Sequence, residues 1–109
     1  MKDIHLPQDT LLRNGNYKII KMIGQGGFGI TYLAQFGHRK KIAIKEFFIS
    51  GHAFRSQDRS IHPTSTLAAT DYATLKEKFK NEALALSRFN HAGIVEITDV
   101  FEENNTVYY

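Results

Sequence analysis

The sequence predicts an α+β fold: one principal helix on a five-stranded antiparallel sheet. Three observations lead there. Three β-rich segments lie in the first half, joined by connections too short for parallel crossovers. A single stretch, residues 71–89, carries apolar side chains at helical spacing. Two more strand-like segments follow it and run to Tyr109.

Taken in order, residues 1–16 are a mixed leader ending in the turn signal Asn14-Gly15-Asn16. Tyr17 to Ile23 is rich in β-formers and leads into Gly24-Gln25-Gly26-Gly27-Phe28-Gly29. Ile30 to Phe36 has strand composition, and Gly37-His38-Arg39-Lys40 turns the chain into a third strand, Lys41 to Phe47. Residues 48–70 show no apolar periodicity and are expected to be a flexible insertion. Asp71 is the expected N-cap, with Thr74 and Glu77 as a capping box one turn later. Leu75, Phe79, Leu86 and Phe89 form the apolar stripe, and Asn90 to Gly93 ends the helix. Ile94 to Phe101 reads as a fourth strand, Glu102-Glu103-Asn104-Asn105 as a turn, and Thr106 to Tyr109 as a fifth strand.

Composition narrows the class of function. At 109 residues the chain holds one domain at most. A 42% apolar and 23% charged composition is ordinary for a globular protein. The net charge of +3 is scattered, and its one adjacent basic run, Arg39-Lys40-Lys41, lacks an aromatic platform. It reads as a solvated turn, so no nucleic-acid partner is expected. With no cysteine, disulfides and thiolate metal sites are excluded. His52 and His62 are ten residues apart without other ligand types nearby, so no metal site is expected. No apolar run reaches the roughly 18 residues of a membrane span, and the N-terminus has no long apolar core. The expected location is cytoplasmic, with no membrane contact in this segment.

The glycines carry the chemistry. A lone Gly-x-Gly-x-x-Gly also occurs at ordinary hairpin turns, because glycine tolerates positive φ. Two sharper readings are a dinucleotide fingerprint and a hairpin that covers phosphates. Glu46 stands about 20 residues on, where a ribose-binding acid would sit. A dinucleotide loop must open a helix, however, and Ile30 to Phe36 has strand composition. A Walker A loop is excluded because no Gly-Lys-Ser/Thr follows. A loop joining two antiparallel strands, with a lysine on the third, fits a phosphate-covering hairpin.

Lys45 ends the apolar run Ile42-Ala43-Ile44, sixteen residues after Gly29. By itself it could be a strand lysine with its head in water. Glu82 supplies the second clue. Lys76, Glu77, Lys80 and Arg88 fall off the helix's apolar stripe, whereas Glu82 lies on it, three after Phe79 and four before Leu86. A carboxylate facing a sheet is costly unless paired, and Lys45 is its natural partner. A Glu at the stripe's edge, reaching solvent, is the plainer alternative.

These residues resemble the N-terminal lobe of a protein kinase, of the bacterial eukaryotic-like (Hanks-type) Ser/Thr class. Gly24-x-Gly26-x-x-Gly29-x-Thr31 resembles the glycine-rich loop, and Ile42-Ala43-Ile44-Lys45 the Val-Ala-Ile-Lys strand. Glu82 falls where the family's helix glutamate belongs, and His91-Ala92-Gly93-Ile94-Val95 resembles the segment after that helix. Thr31 departs from the usual Val, Ala92 and Gly93 from Pro and Asn, and 48–70 is longer than the common link.

The resemblance implies that Ile23, Gly24, Gln25, Gly26, Gly27, Phe28, Gly29, Thr31, Ala43 and Lys45 bind ATP. Ile23, Thr31 and Ala43 would enclose the adenine, and Lys45, oriented by Glu82, would hold the α- and β-phosphates. It implies transfer of the γ-phosphoryl group to a protein Ser or Thr hydroxyl, with Mg²⁺. The His-Arg-Asp and Asp-Phe-Gly residues of the family are not among these 109. The expectation is therefore an N-lobe that is inactive alone, needs its C-lobe, and is prone to self-association through exposed apolar surface. A stand-alone, non-catalytic nucleotide- or partner-binding module is the alternative. A dinucleotide-dependent oxidoreductase would require a helix after Gly29.

Overall fold

A computed structural model describes residues 4–89, 92–93 and 95–109. The turn expected from Asn90 and the segment from His91 to Val95 therefore lie partly outside the described residues, as does the start of the leader.

The sheet has six strands rather than five. β1 (Leu11–Leu12), β2 (Tyr17–Gln25), β3 (Gly29–Phe36) and β4 (Lys40–Phe47) form an antiparallel meander. β5 (Ala53–Arg55) and β6 (Ile61–Pro63) make a separate two-stranded hairpin, and α1 (Ala69–Leu86) follows. β7 (Phe101–Glu103) and β8 (Thr106–Tyr108) complete the large sheet in the order β1-β2-β3-β4-β8-β7. The extra strand is β1, taken from the leader. It adds to the sheet because Leu11 and Leu12 pair with Lys18 and Tyr17 around the turn at residues 13–16.

Four local expectations are corrected. Residues 48–70 contain β5 and β6, whose Arg55 and Ile61 are buried. The helix starts two residues before Asp71, with Ala68 as N-cap and no side-chain cap bond. Asp71 instead sits in the first turn, where its charge complements the helix dipole. Thr74, inside the helix, donates its hydroxyl to the Thr70 carbonyl at 3.0 Å. In the described part of the fourth expected strand, 95–100 are irregular and pairing begins at Phe101. Asn104 and Asn105 both hold positive φ, 54° and 57°, the two-residue turn that matches strand twist.

Alternation along β4 explains the layering, since successive side chains point to opposite faces. Phe47 points to the helix, with its ring 5.8 Å from Tyr72 and 5.1 Å from Phe79. Ile44 and Glu46 point to the other face. There the leader and the β5–β6 hairpin cover the sheet: Leu6, Leu12, Ile19, Tyr32, Ile44 and Ile61 belong to one buried core.

Candidate functional site

The site is built where β2, β3 and β4 meet. The β3–β4 ladder runs without irregularity from Gly29↔Phe47 to Phe36↔Lys40. It places Lys45 directly opposite Thr31, and Ala43 opposite Leu33. On the β2 side, register shifts between Ile19 and Lys21 and between Met22 and Gly24 interrupt the pairing. Ile23 falls in the second irregularity and is 51% exposed. A bulge of this kind re-aims a side chain that regular pairing would hold in line.

The glycine loop closes on Lys45. A Cβ built on Gly29 would stand 2.9 Å from Lys45 Cε and 3.2 Å from the Glu46 carbonyl oxygen. Only glycine lets the strand approach the lysine this closely. By contrast, a Cβ on Gly24, Gly26 or Gly27 would meet nothing within 4 Å. Those glycines leave open space above the sheet.

The loop tip is tied to the chain just after β4. Phe48 N–H donates to the Phe28 carbonyl at 3.0 Å, and Ser50 N–H to the Gly27 carbonyl at 3.0 Å. The Ser50 hydroxyl donates to the Gly26 carbonyl at 3.2 Å, and the Gln25 side-chain amide donates to Ser50 Oγ at 3.3 Å. Pairing thus continues past the end of β4 and back beyond the start of β3 into the glycines. Phe28, 62% exposed, projects from the tip.

Lys45 lines two cavities. One, of about 430 Å³, is bounded by Thr31, Ala43 and Lys45 on the sheet, by residues 95–99 opposite, and by Tyr109. Asp99 anchors that opposing segment by accepting from the Tyr17 hydroxyl at 2.7 Å and pairing with Arg13 at 3.0 Å. Burial, then the Asp99 contact, pushes the Tyr17 phenol up to about 12. The other cavity, of about 320 Å³, lies between the sheet and α1 and is lined by Phe28, Lys45, Phe47, Phe79, Glu82 and Leu86 among others. Between them, the two cavities place a cation beside an apolar slot, an arrangement suited to an aromatic ligand with an anionic tail.

Glu82 is not the buried partner expected from its stripe position. It is exposed, and among the described residues no ion pair joins it to Lys45. The helix instead buries Tyr72 and Ala83. Leu86 and Phe89, expected on the apolar stripe, are 45% and 56% exposed. The packing contact runs through Tyr72, Phe79 and Ala83, and Tyr72 OH also donates to the Asn105 carbonyl at 2.9 Å. Glu82 sits one residue from buried Ala83, at the edge of that contact, and shares the helix-side cavity with Lys45.

The buried acid is Glu46, fully inaccessible to solvent. Its Oε1 accepts from Arg55 Nη2 at 2.6 Å and from Tyr32 OH at 2.9 Å, and its Oε2 from Tyr108 OH at 2.5 Å. Burial and then the Glu46 charge push both phenols well above the ordinary tyrosine range, so they stay neutral donors. Burial opposes the Arg55 charge, but the Glu46 carboxylate outweighs it and the guanidinium is raised. The sequence carried one signal for this: on an alternating strand Glu46 must face away from Lys45, into whatever covers the back of the sheet. Nothing in the pattern marked Arg55 as the partner. Tyr109 was also missed as a site residue. Its backbone brackets Lys45, with Lys45 N–H donating to its carbonyl at 2.8 Å and its own N–H donating back at 3.0 Å.

Among the described residues no group of three or more His, Asp or Glu could hold a metal ion, and no helix is long and apolar enough to cross a membrane.

No family model matches the chain. It is 30% identical over 101 residues to the serine/threonine-protein kinase pkn2 of Myxococcus xanthus, an alignment that covers 92% of this chain and 10% of that protein. Against the serine/threonine-protein kinase Nek5 of Mus musculus it is 28% identical over 93 residues, covering 85% of this chain and 11% of that protein. The chain therefore spans about a tenth of the length of these curated relatives. A solved structure described as PpkA-294 in its apo form superposes with a TM-score of 0.84 at 34% identity, over 97% of this chain and 37% of that one.

Proposed function

We propose that this chain, which has the sequence relationships and the fold of a Ser/Thr protein kinase N-terminal lobe, is the ATP-binding lobe of such a kinase. The observation that carries the reading is the contact of Gly29 with Lys45: a phosphate-covering loop and a cation share one site because a residue without a side chain lets them touch. The adenine would lie in the slot between Ala43, Thr31 and the 95–99 segment, whose lining does not include Ile23. Gly24, Gly26 and Gly27, with open space where a side chain would stand, would let the phosphates approach the loop backbone, the Gly26 N–H itself being given to the Gly29 carbonyl at 2.8 Å. Lys45 would lie against the α- and β-phosphates as a point charge.

Glu82 would join Lys45 when the nucleotide is in place. Catalytic contacts are often long in a free site and tighten in the complex. Mg²⁺ does not fit the residues present here, since no ligand set exists among those described. This chain's share of the chemistry is to hold and orient the nucleotide. Transfer of the γ-phosphoryl group to a protein Ser or Thr would draw its base and metal ligands from a C-lobe. Exposed Leu86, Phe89 and Val95 suit a surface that such a partner covers.

Calorimetric titration with ADP and with adenosine tests the reading. We expect saturable ADP binding that weakens roughly tenfold to a hundredfold in Lys45→Met, the range for losing a charge-assisted contact. Adenosine binding should be nearly unaffected. Absence of ADP binding at millimolar concentration, or equal ADP affinity in Lys45→Met, would overturn it.

A further inference from the structure

We propose that Arg55, in the β5–β6 hairpin, is a positioning residue of the nucleotide site that acts through Glu46 on Lys45. The inference rests on the ATP-site reading of Lys45 above. It assigns a role to the β5–β6 hairpin, whose Arg55 meets Glu46 on the face of the sheet opposite Lys45.

Lys45 and Glu46 are consecutive on β4, so one peptide unit carries both. Whatever fixes the Glu46 side chain on the back face limits how the Lys45 side chain is aimed on the front. Arg55 and Glu46 are 4% and 0% exposed and pair at 2.6 Å. Arg55 gives two further donors to backbone: Nε to the Ile4 carbonyl at 2.8 Å and Nη1 to the Arg59 carbonyl at 2.8 Å. The guanidinium thereby joins three separate segments, the leader, the hairpin and β4, in a fixed fork geometry.

A second tie is made to the glycine loop itself. The insertion's first residues hold Gly26, Gly27 and Phe28 through Phe48 and Ser50. The insertion thus touches both halves of the site, the loop through its start and the lysine strand through Arg55. A purely structural buried pair is an expensive way to cover a sheet, because apolar residues of the same volume often do as well or better. Placement of a charged pair beside the lysine strand suits geometric precision rather than bulk stability.

The test compares Arg55→Met and Arg55→Lys with the unaltered protein, each intact, well below its own melting temperature, by titration with ADP and with adenosine. A positioning role predicts an ADP affinity loss of roughly tenfold in Arg55→Met, with adenosine affinity unchanged, since misplacing Lys45 is felt only by phosphate. Arg55→Lys should recover part of that loss, because it keeps the charge on Glu46 and loses the fork. If Arg55→Met does not fold, Arg55→Lys alone decides, with an expected ADP-selective loss of about threefold. Equal loss of both ligands, or unchanged affinities with only a lower melting temperature, would overturn the inference and leave the ATP-site reading standing. Failure of the unaltered protein to bind ADP would remove both.

Discussion

Gly29→Ala is the sharpest perturbation of the site, because two distances at one atom set its consequences. The new Cβ would lie 2.9 Å from Lys45 Cε and 3.2 Å from the Glu46 carbonyl oxygen. Carbon atoms rest at about 3.5–4.0 Å, so Lys45 Cε must retreat by roughly 0.6–1.1 Å. The end of a lysine swings freely, and that adjustment leaves the strand intact. The carbonyl belongs to the β4 backbone and yields only a few tenths of an ångström. The resulting strain falls at the low end of overpacking, about 1 kcal/mol, offset by the roughly 0.4–1 kcal/mol that Gly→Ala gains from the unfolded chain.

Net stability should therefore change by less than about 1 kcal/mol, a shift in melting temperature of no more than roughly 4–8 °C. The ligand effect is larger. Moving an ammonium from about 4 to about 5 Å from one phosphate charge weakens the attraction by about 0.8 kcal/mol at an effective dielectric of about 20. Two phosphate charges double this to about 1.6 kcal/mol, or roughly tenfold in affinity. The assay is paired calorimetry and thermal melting of Gly29→Ala, with Gly26→Ala as control, whose Cβ meets nothing within 4 Å. An ADP affinity equal to that of the unaltered protein would refute the argument. So would a loss matched in Gly26→Ala, or a collapse in melting temperature.

Further expectations follow from the same geometry. Glu82→Gln should leave the unfolding free energy within about 0.5 kcal/mol of the unaltered value, because among the described residues no ion pair joins Glu82 to Lys45. A large loss of stability would mean that the carboxylate is paired and buried after all. Ser50→Ala removes the hydroxyl contacts to Gly26 and Gln25 but keeps the backbone bonds of Phe48 and Ser50. Amide exchange at Gly26 to Phe28 should quicken a few-fold, with β3 unchanged; identical exchange rates would show that the hydroxyl holds nothing. Alkaline pH should unfold the chain. The folded-state phenols of Tyr17, Tyr32 and Tyr108 all lie above the unfolded value, with Tyr17 at about 12. Their contribution is complete below about pH 10 and disappears as pH rises through the folded values. Melting temperature should hold level from pH 7 to 9 and fall above pH 10; a flat profile to pH 12 would contradict the burial of the tyrosine network.

The antiparallel meander and the single helix were legible in the chain itself, because strand composition, helical spacing and short connections are local properties. So was the pairing of a glycine loop with a lysine, since the hairpin that joins them is contiguous and its register follows from the turns. The hairpin within 48–70 was hidden because each strand is only three residues long and has no period of its own. Its order comes from docking: Ile61 N–H donates to the Asn104 carbonyl at 2.8 Å, far along the sequence.

The same distinction explains the two glutamates. Helical spacing put Glu82 on the apolar stripe, but which arc of a helix is buried depends on where the helix lands on the sheet. Here the contact is made by Tyr72, Phe79 and Ala83, which leaves Glu82 at the cavity's edge. Strand alternation put Glu46 opposite Lys45, but only the folded leader and insertion could bury it and bring Arg55 to meet it. By itself, then, the sequence determined the chemistry's front face, glycines and a lysine on adjoining strands. Tertiary structure alone decided the back face, because a buried charge is tolerable only where segments distant in sequence converge to satisfy it.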